Sequence, residues 1–398
     1  MREYCSRRTG PKSFFHARLS EEKTMTEPDG ATHDPWSVLS PDGRLTPHHR
    51  VPTGPGALDL RGALRDMVLA RRIDTEAIAL QRQGELGLWP SMLGQEGAQV
   101  GAGYAIRPQD VVFPTYREHA VAWTQGVDPV NLLGLFRGTT MGGWDPRERN
   151  FHLYTLVIGA QNLHAVGYAM GLVRDGAVGT GDADRDRAVL VFLGDGALSE
   201  GETNEAFVWA ATQDLPVVFF CQNNQWAISA PYATQSRIPA ADRARGFGFP
   251  GVRVDGNDVI ASHAVTTAAL DRARQGGGPT LIEAVTYRLN PHTTSDDDLR
   301  YRSRDENEYW AQRDPIDRLR AYLTSEAAGD ARIDEAFLAD LQAESDALGE
   351  RLRTGCRRLP VPAPADPFVN TLTELTPELA RQLEAHLAFV AAGEKEHA

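Results

Sequence analysis

Two short segments hold residue types whose spacing could support metal and phosphate chemistry. The first apolar run, residues 188–193, leads into Gly194-Asp195-Gly196-Ala197-Leu198-Ser199-Glu200-Gly201-Glu202. The glycines let the backbone turn tightly and approach a ligand closely. Asp195 stands alone at the run's end, where a carboxylate can hold a divalent cation. Ser199 and Glu202 match a capping box and predict a helix whose N-terminus favours an anion. The second run, 216–221, leads into Gln222-Asn223-Asn224-Gln225-Trp226, with Asn224 29 residues after Asp195. If the runs are consecutive parallel strands, both side chains reach one sheet edge. Oxygens from Asp, Asn and a backbone carbonyl, with phosphate oxygens and a water, suit octahedral Mg²⁺. The metal would neutralise a diphosphate at the helix N-terminus. Separately, Gly-Asp-Gly reads as a turn and Asn-Asn as a loop; their joint placement after two buried strands points to a site.

Two further segments belong to this argument. Tyr116 and Arg117 lie in FPTYREH after the run 110–113, and a loop arginine there offers a permanently charged phosphate contact. Its alternative is a solvated charge at a helix start. His292 lies in PHTTSDD after the run 281–287, close to Arg288. A histidine in a loop at a strand's carboxyl end is a catalytic candidate, against the alternative of a structural residue.

These residues need a frame. Five apolar runs (110–113, 188–193, 216–221, 251–254 and 281–287) alternate with helical segments. Runs such as AVLVFL and PVVFFC are apolar on both faces, as in a parallel sheet covered by helices on both sides. The fold class is therefore α/β, and ligands bind beyond the carboxyl ends of such strands. Leu64, Met67, Val68, Ile73 and Ala77 mark an entry helix. The expected organisation is an N-terminal arm over 1–57, an α/β domain over 58–313 and a helical C-terminal extension over 314–398. A Pro-rich linker at 359–367 precedes a last helix opening at Thr376-Pro377-Glu378, with apolar Leu379, Leu383, Leu387 and Val390. That helix docks on its own domain or on a partner subunit. Residues 1–24 read as an upstream extension before Met25, without the apolar core of a secretory signal, and 26–57 as a poorly ordered arm.

Composition narrows the classes. The chain has 398 residues, 41 basic and 54 acidic, for a net charge of -13. That balance argues against nucleic acid or an anionic membrane as a partner. No run approaches the ~20 apolar residues of a membrane helix. Cys5, Cys221 and Cys356 are odd in number and lack metal spacing, so they read as reduced thiols of an intracellular protein.

The stretch GDGALSEGETNEAF…LPVVFFCQNNQWAIS, with VRVDGNDV, LIEAVTYR and PHTTSDDDLRYRS, resembles the alpha subunits of the decarboxylating component of 2-oxo acid dehydrogenases, in the heterotetrameric class. The likeness runs from about residue 64 to 323. HTTSDD and DPIDRLRAYL are more like the branched-chain members than the pyruvate members. The resemblance implies thiamine diphosphate and Mg²⁺ as cofactors, with Asp195, Asn224 and the Trp226 carbonyl on the metal. It places Gly194, Gly196, Ala197, Gln222, Tyr116 and Arg117 around the diphosphate. Gln222 replaces an arginine found in some branched-chain relatives. Leu156, through backbone groups, and Ile158, as an apolar wedge, would hold the aminopyrimidine; by residue type alone both would be core. His292 would contact the diphosphate and the reacting centre as the catalytic residue, and Asn290 replaces a usual glycine beside it. A beta subunit would supply the pyrimidine-side glutamate in an α2β2 heterotetramer, and a lipoyl-bearing acyltransferase would accept the acyl group. A cytoplasmic setting is expected rather than a mitochondrial one. Pyruvate or acetoin as substrate stays open, as does a degenerate diphosphate-binding scaffold without activity.

Overall fold

The computed structural model describes residues 34–46, 48, 51, 58–140 and 142–396. Five strands form one sheet: β1 (Val111–Phe113), β2 (Val189–Gly194), β3 (Val217–Asn223), β4 (Gly251–Asp255) and β5 (Thr280–Val285). Their order is β1-β2-β3-β5-β4 and every pairing is parallel. The apolar runs thus mark the strands to within two residues of their observed ends. Period-two alternation divides them between two cores. Val112, Leu190, Phe192, Val218, Phe220 and Ile282 face one side, where Ala98, Ala102, Ala261 and Leu270 cover them. Val111, Val191, Leu193, Val217, Phe219 and Cys221 face the other, against Ala165, Ala169, Phe207 and Ala210. Small alanines at the helix contacts let the helices sit close to the bulky strand residues.

The entry helix α1 (Leu60–Arg82) opens on Asp59, whose side chain accepts from Gly62 N. Leu64, Met67, Ile73 and Ala77 are buried, as their spacing predicts. The C-terminal helices Pro315–Thr324 and Glu335–Arg358 pack along α1.

Three expectations need correction. The arm is not poorly ordered where it is described. Trp36 pairs with β4, donating to Arg253 O and accepting from Asp255 N, both at 2.9 Å. Val38 N and Leu39 N donate to Asp258 Oδ2 at 2.7 Å, and both side chains are buried. Local polarity hid this, because edge pairing and two apolar anchors decide it. The upstream extension, Met25 and Cys5 lie outside the described residues. The last helix (Pro377–Glu396) begins where expected, with Leu379 N donating to Thr376 Oγ1 at 3.2 Å. It packs chiefly on the turn Asp366–Val369 rather than on the α/β domain, leaving Leu387 and Phe389 exposed. The Ser199 capping box does not form. The chain tightens into a 3₁₀ turn over Asp195–Ser199, and the helix starts at Gly201 with Glu200 at its N-cap and no side-chain bond.

Candidate active site

Register carries the polar residues to one edge. Gly194 lies beside Gln222 and Asn223 beside Val285, so β2, β3 and β5 release their chains side by side. The loops after β1, β2, β3 and β5 enclose a cavity of about 390 Å³. All twelve residues singled out from the sequence line it: Tyr116, Arg117, Leu156, Ile158, Gly194, Asp195, Gly196, Ala197, Gln222, Asn224, Trp226 and His292. Because the capping box fails, the 3₁₀ turn faces the cavity in place of the helix start.

Asp195 is 2% exposed, and Gln235 Nε2 donates to its carboxylate at 3.1 Å. Burial pushes its pKa up to about 6, opposed by that hydrogen bond and by the charges of Arg288 and Arg117. Asn224 Nδ2 donates to Gln95 Oε1 at 3.3 Å, and its Oδ1 accepts from Trp226 N at 3.3 Å. The Trp226 carbonyl accepts from Arg288 Nη1 at 3.0 Å, which leaves its second lone pair. Gln225 (φ 72°) and Ile228 (φ 54°) bracket this segment in the left-handed region, a strain that persists only where surroundings enforce it.

Arg117 is no solvated charge: it is 4% exposed. It donates through Nη1 to Ser91 O and through Nη2 to His292 O at 3.0 Å. Its Nη2 also lies 3.2 Å from His292 Nδ1, and Arg288 Nη1 lies 3.4 Å from the same nitrogen. Guanidinium groups only donate, so His292 Nδ1 accepts and the imidazole proton sits on Nε2. Burial, then Arg117 and Arg288, lower its pKa to about 3, so the ring is neutral at physiological pH. Tyr116 meets it edge-on at 6.1 Å. Downstream, Asp296 Oδ2 accepts from His292 N at 2.9 Å and from Tyr301 OH.

Leu156, Val157 and Ile158 are 63%, 70% and 40% exposed, against what residue type alone suggests. They form an apolar rim before Gly159 (φ 89°), which opens the helix Ala160–Arg174.

Some lining residues were missed. Glu118 is buried, accepts from Thr115 Oγ1 at 2.6 Å and from Gln222 Nε2, and has its pKa raised by burial. Its signal was its place beside Arg117 in FPTYREH. Gln95, Gln161, Leu88, Pro90 and Phe136 come from segments whose pattern says only helix or loop.

The donor set suits a metal-bound diphosphate on three observations. Asp195 is a buried carboxylate that accepts from a neutral amide, Gln235 Nε2. Gln95 Nε2, Gln222 Oε1 and Trp226 Nε1 are buried without partners. At Gly194 a Cβ would meet nothing within 4 Å, so a side chain there has open room beside the cavity.

Residues 64–347 match the family described as "Dehydrogenase E1 component". The chain belongs to that family. As an E1 component chain, it is 43% identical over 88% of its length to 3-methyl-2-oxobutanoate dehydrogenase subunit alpha of Mycobacterium tuberculosis (strain H37Rv), covering 93% of that chain. It is 35% identical over 81% of its length to pyruvate dehydrogenase E1 component subunit alpha of Acholeplasma laidlawii, covering 91% of that protein. The same subunit of Bacillus cereus is 34% identical over 71% of this chain and 74% of its own. Among the described residues, no helix is long and apolar enough to cross a membrane.

Proposed function

We propose that this chain is the alpha subunit of a branched-chain 2-oxo acid dehydrogenase, acting on 3-methyl-2-oxobutanoate and related acids in the cytoplasm. The observation that carries the reading is the single cavity into which Asp195, Asn224, Arg117 and His292 converge, in a chain 43% identical to a 3-methyl-2-oxobutanoate dehydrogenase alpha subunit. Asp195, Asn224 Oδ1 and the Trp226 carbonyl would hold Mg²⁺. Gly194, Gly196, Ala197, Gln222, Tyr116 and Arg117 would surround a diphosphate, Arg117 supplying the fixed positive charge. Leu156 and Ile158 would support the aminopyrimidine. Thiamine diphosphate, when bound, would supply the electron sink for loss of CO₂ from a 2-oxo acid.

The chain's own residues do the rest. Asp195 and Arg117 are buried at the charged end of the cavity, where preorganised charges and donors act more strongly than in water. His292, neutral with its proton on Nε2, is suited to donate a hydrogen bond rather than to take a proton. The exposed rim Leu156–Val157–Ile158 supports closure by a second chain, the beta subunit of an α2β2 assembly that would bring the missing glutamate. A lipoyl-bearing acyltransferase would take up the acyl group.

The test is dye reduction by this chain with its beta subunit, thiamine diphosphate and Mg²⁺, comparing 3-methyl-2-oxobutanoate, 4-methyl-2-oxopentanoate and pyruvate. Preference for the branched acids is expected. Preference for pyruvate would overturn the substrate assignment and keep the site.

A further inference from the structure

Three buried glutamines line the cavity, and each spends one half of its amide on the protein. Gln161 Nε2 donates to Phe192 O at 2.8 Å, and Gln222 Nε2 donates to Glu118 Oε1. Among the described residues, the Oε1 atoms of these two have no partner. Gln95 is the reverse: its Oε1 accepts from Asn224 Nδ2 at 3.3 Å, and its Nε2 has no partner.

The backbone fixes the polarity of this arrangement. Trp226 N can only donate, and it lies 3.3 Å from one end of the Asn224 amide, so that end is Oδ1. The other end is then Nδ2, which needs an acceptor, so Gln95 must turn Oε1 towards it. The NH₂ end of Gln95 is left to the cavity. Gln95 is itself held: it is fully buried, its N donates to Met92 O at 2.9 Å, and its O accepts from Gln99 N at 3.1 Å as the helix Glu96–Ala105 begins. The neighbouring Glu96 carboxylate is taken by Arg71 Nε at 2.7 Å and Gly94 N at 2.9 Å. Charge decides among the three glutamines. The oxygens of an anion only accept, so the spare Oε1 atoms of Gln161 and Gln222 cannot serve one, whereas the spare Nε2 of Gln95 can.

We propose that Gln95 positions Asn224 for the metal and donates through Nε2 to an oxygen of the bound diphosphate. Its carbonyl end keeps Asn224 Oδ1 turned towards the cation, and its NH₂ end meets the anion. The inference rests on the proposed function for the identity of the ligand.

The experiment compares the parent protein with Gln95→Met and Gln95→Glu, each as the full chain assembled with its beta subunit. Calorimetry reads the affinity for pyrophosphate at saturating Mg²⁺ and the Mg²⁺ midpoint at saturating pyrophosphate. Methionine keeps the volume and removes both ends of the amide. Its pyrophosphate affinity should fall about tenfold, and its Mg²⁺ midpoint should rise about tenfold as Asn224 loses its anchor. Glutamate still accepts from Asn224 Nδ2 but donates nothing and repels the anion. It should lose more than about tenfold in pyrophosphate affinity while its Mg²⁺ midpoint stays within about threefold of the parent. A purely structural role would move both readings alike in both variants, and that result would overturn the proposal. A methionine variant that binds both like the parent would overturn it too; this variant buries no charge, so it decides the matter even if the glutamate variant does not fold. A parent protein that fails to bind pyrophosphate with Mg²⁺ would instead refute the functional reading, and the inference with it.

Discussion

Replacing Asp195 by asparagine should stabilise the metal-free protein while removing its response to Mg²⁺. The carboxyl is 2% exposed and its pKa rises from 3.8 to about 6, chiefly through burial. The native state therefore holds its proton where the unfolded chain has already released it. Below about pH 3.8 both states are protonated and the group costs nothing. Through the window up to about 6 the stability falls as pH rises, and above it the full cost applies. Roughly two pH units at 1.36 kcal/mol each give a cost of about 3 kcal/mol at neutral pH. Asparagine has nearly the same shape and no charge to bury. In EDTA at pH 7.5, Asp195→Asn should raise the melting temperature by about 3 to 4 °C in a protein of this size. At pH 5 the gain should fall to about half. Adding Mg²⁺ with thiamine diphosphate should stabilise the parent protein and leave the variant unmoved. Scanning fluorimetry at the two pH values, with and without metal, reads all three. An equal gain at both pH values, or a variant that still responds to Mg²⁺, would refute the argument.

Other outcomes follow from particular contacts. His119 is fully buried with a pKa lowered to about 3 by burial, and His292 is held near the same value. Both must gain protons on unfolding, so stability should fall as pH drops from about 6.5 towards 3, and His119→Gln should flatten that slope in urea titrations. Gly194→Ala should keep the melting temperature within about 1 °C, because nothing lies within 4 Å of its Cβ position, yet weaken pyrophosphate binding measurably by calorimetry. Gly196→Ala meets Ala227 Cβ at 2.8 Å and should instead cost about 1 to 3 kcal/mol in denaturant melts. Arg117→Lys cannot span Ser91 O and His292 O with one planar group; cofactor affinity should drop about tenfold or more at constant fold.

The sheet was legible because its central strands β2 and β3 are apolar on both faces, and only burial on both sides explains runs such as VVFFC. The site was legible for the same reason, since residues at the ends of such strands meet at one edge. Asp195 and Asn224 needed little more than that edge, whereas His292, a loop histidine that could equally be structural, also needed the family resemblance. Leu156 and Ile158 were different: their apolar side chains say core, the structure exposes them, and only the family resemblance placed them at the cavity. Glu118 and Gln95 escaped because a buried polar residue in a helical pattern carries no sign of its partner. Residues 34–46 misled because polar composition suggests disorder, while a single edge pairing and the Asp258 carboxylate are enough to hold them.

The central claim is that this chain provides the diphosphate half of an active site that a second chain completes. Its most direct test is CO₂ release from 3-methyl-2-oxobutanoate with thiamine diphosphate and Mg²⁺, measured for the chain alone and for an equimolar mixture with the beta subunit. The account predicts no release above background from the chain alone and steady turnover from the mixture. Full-rate decarboxylation by the isolated chain would contradict it.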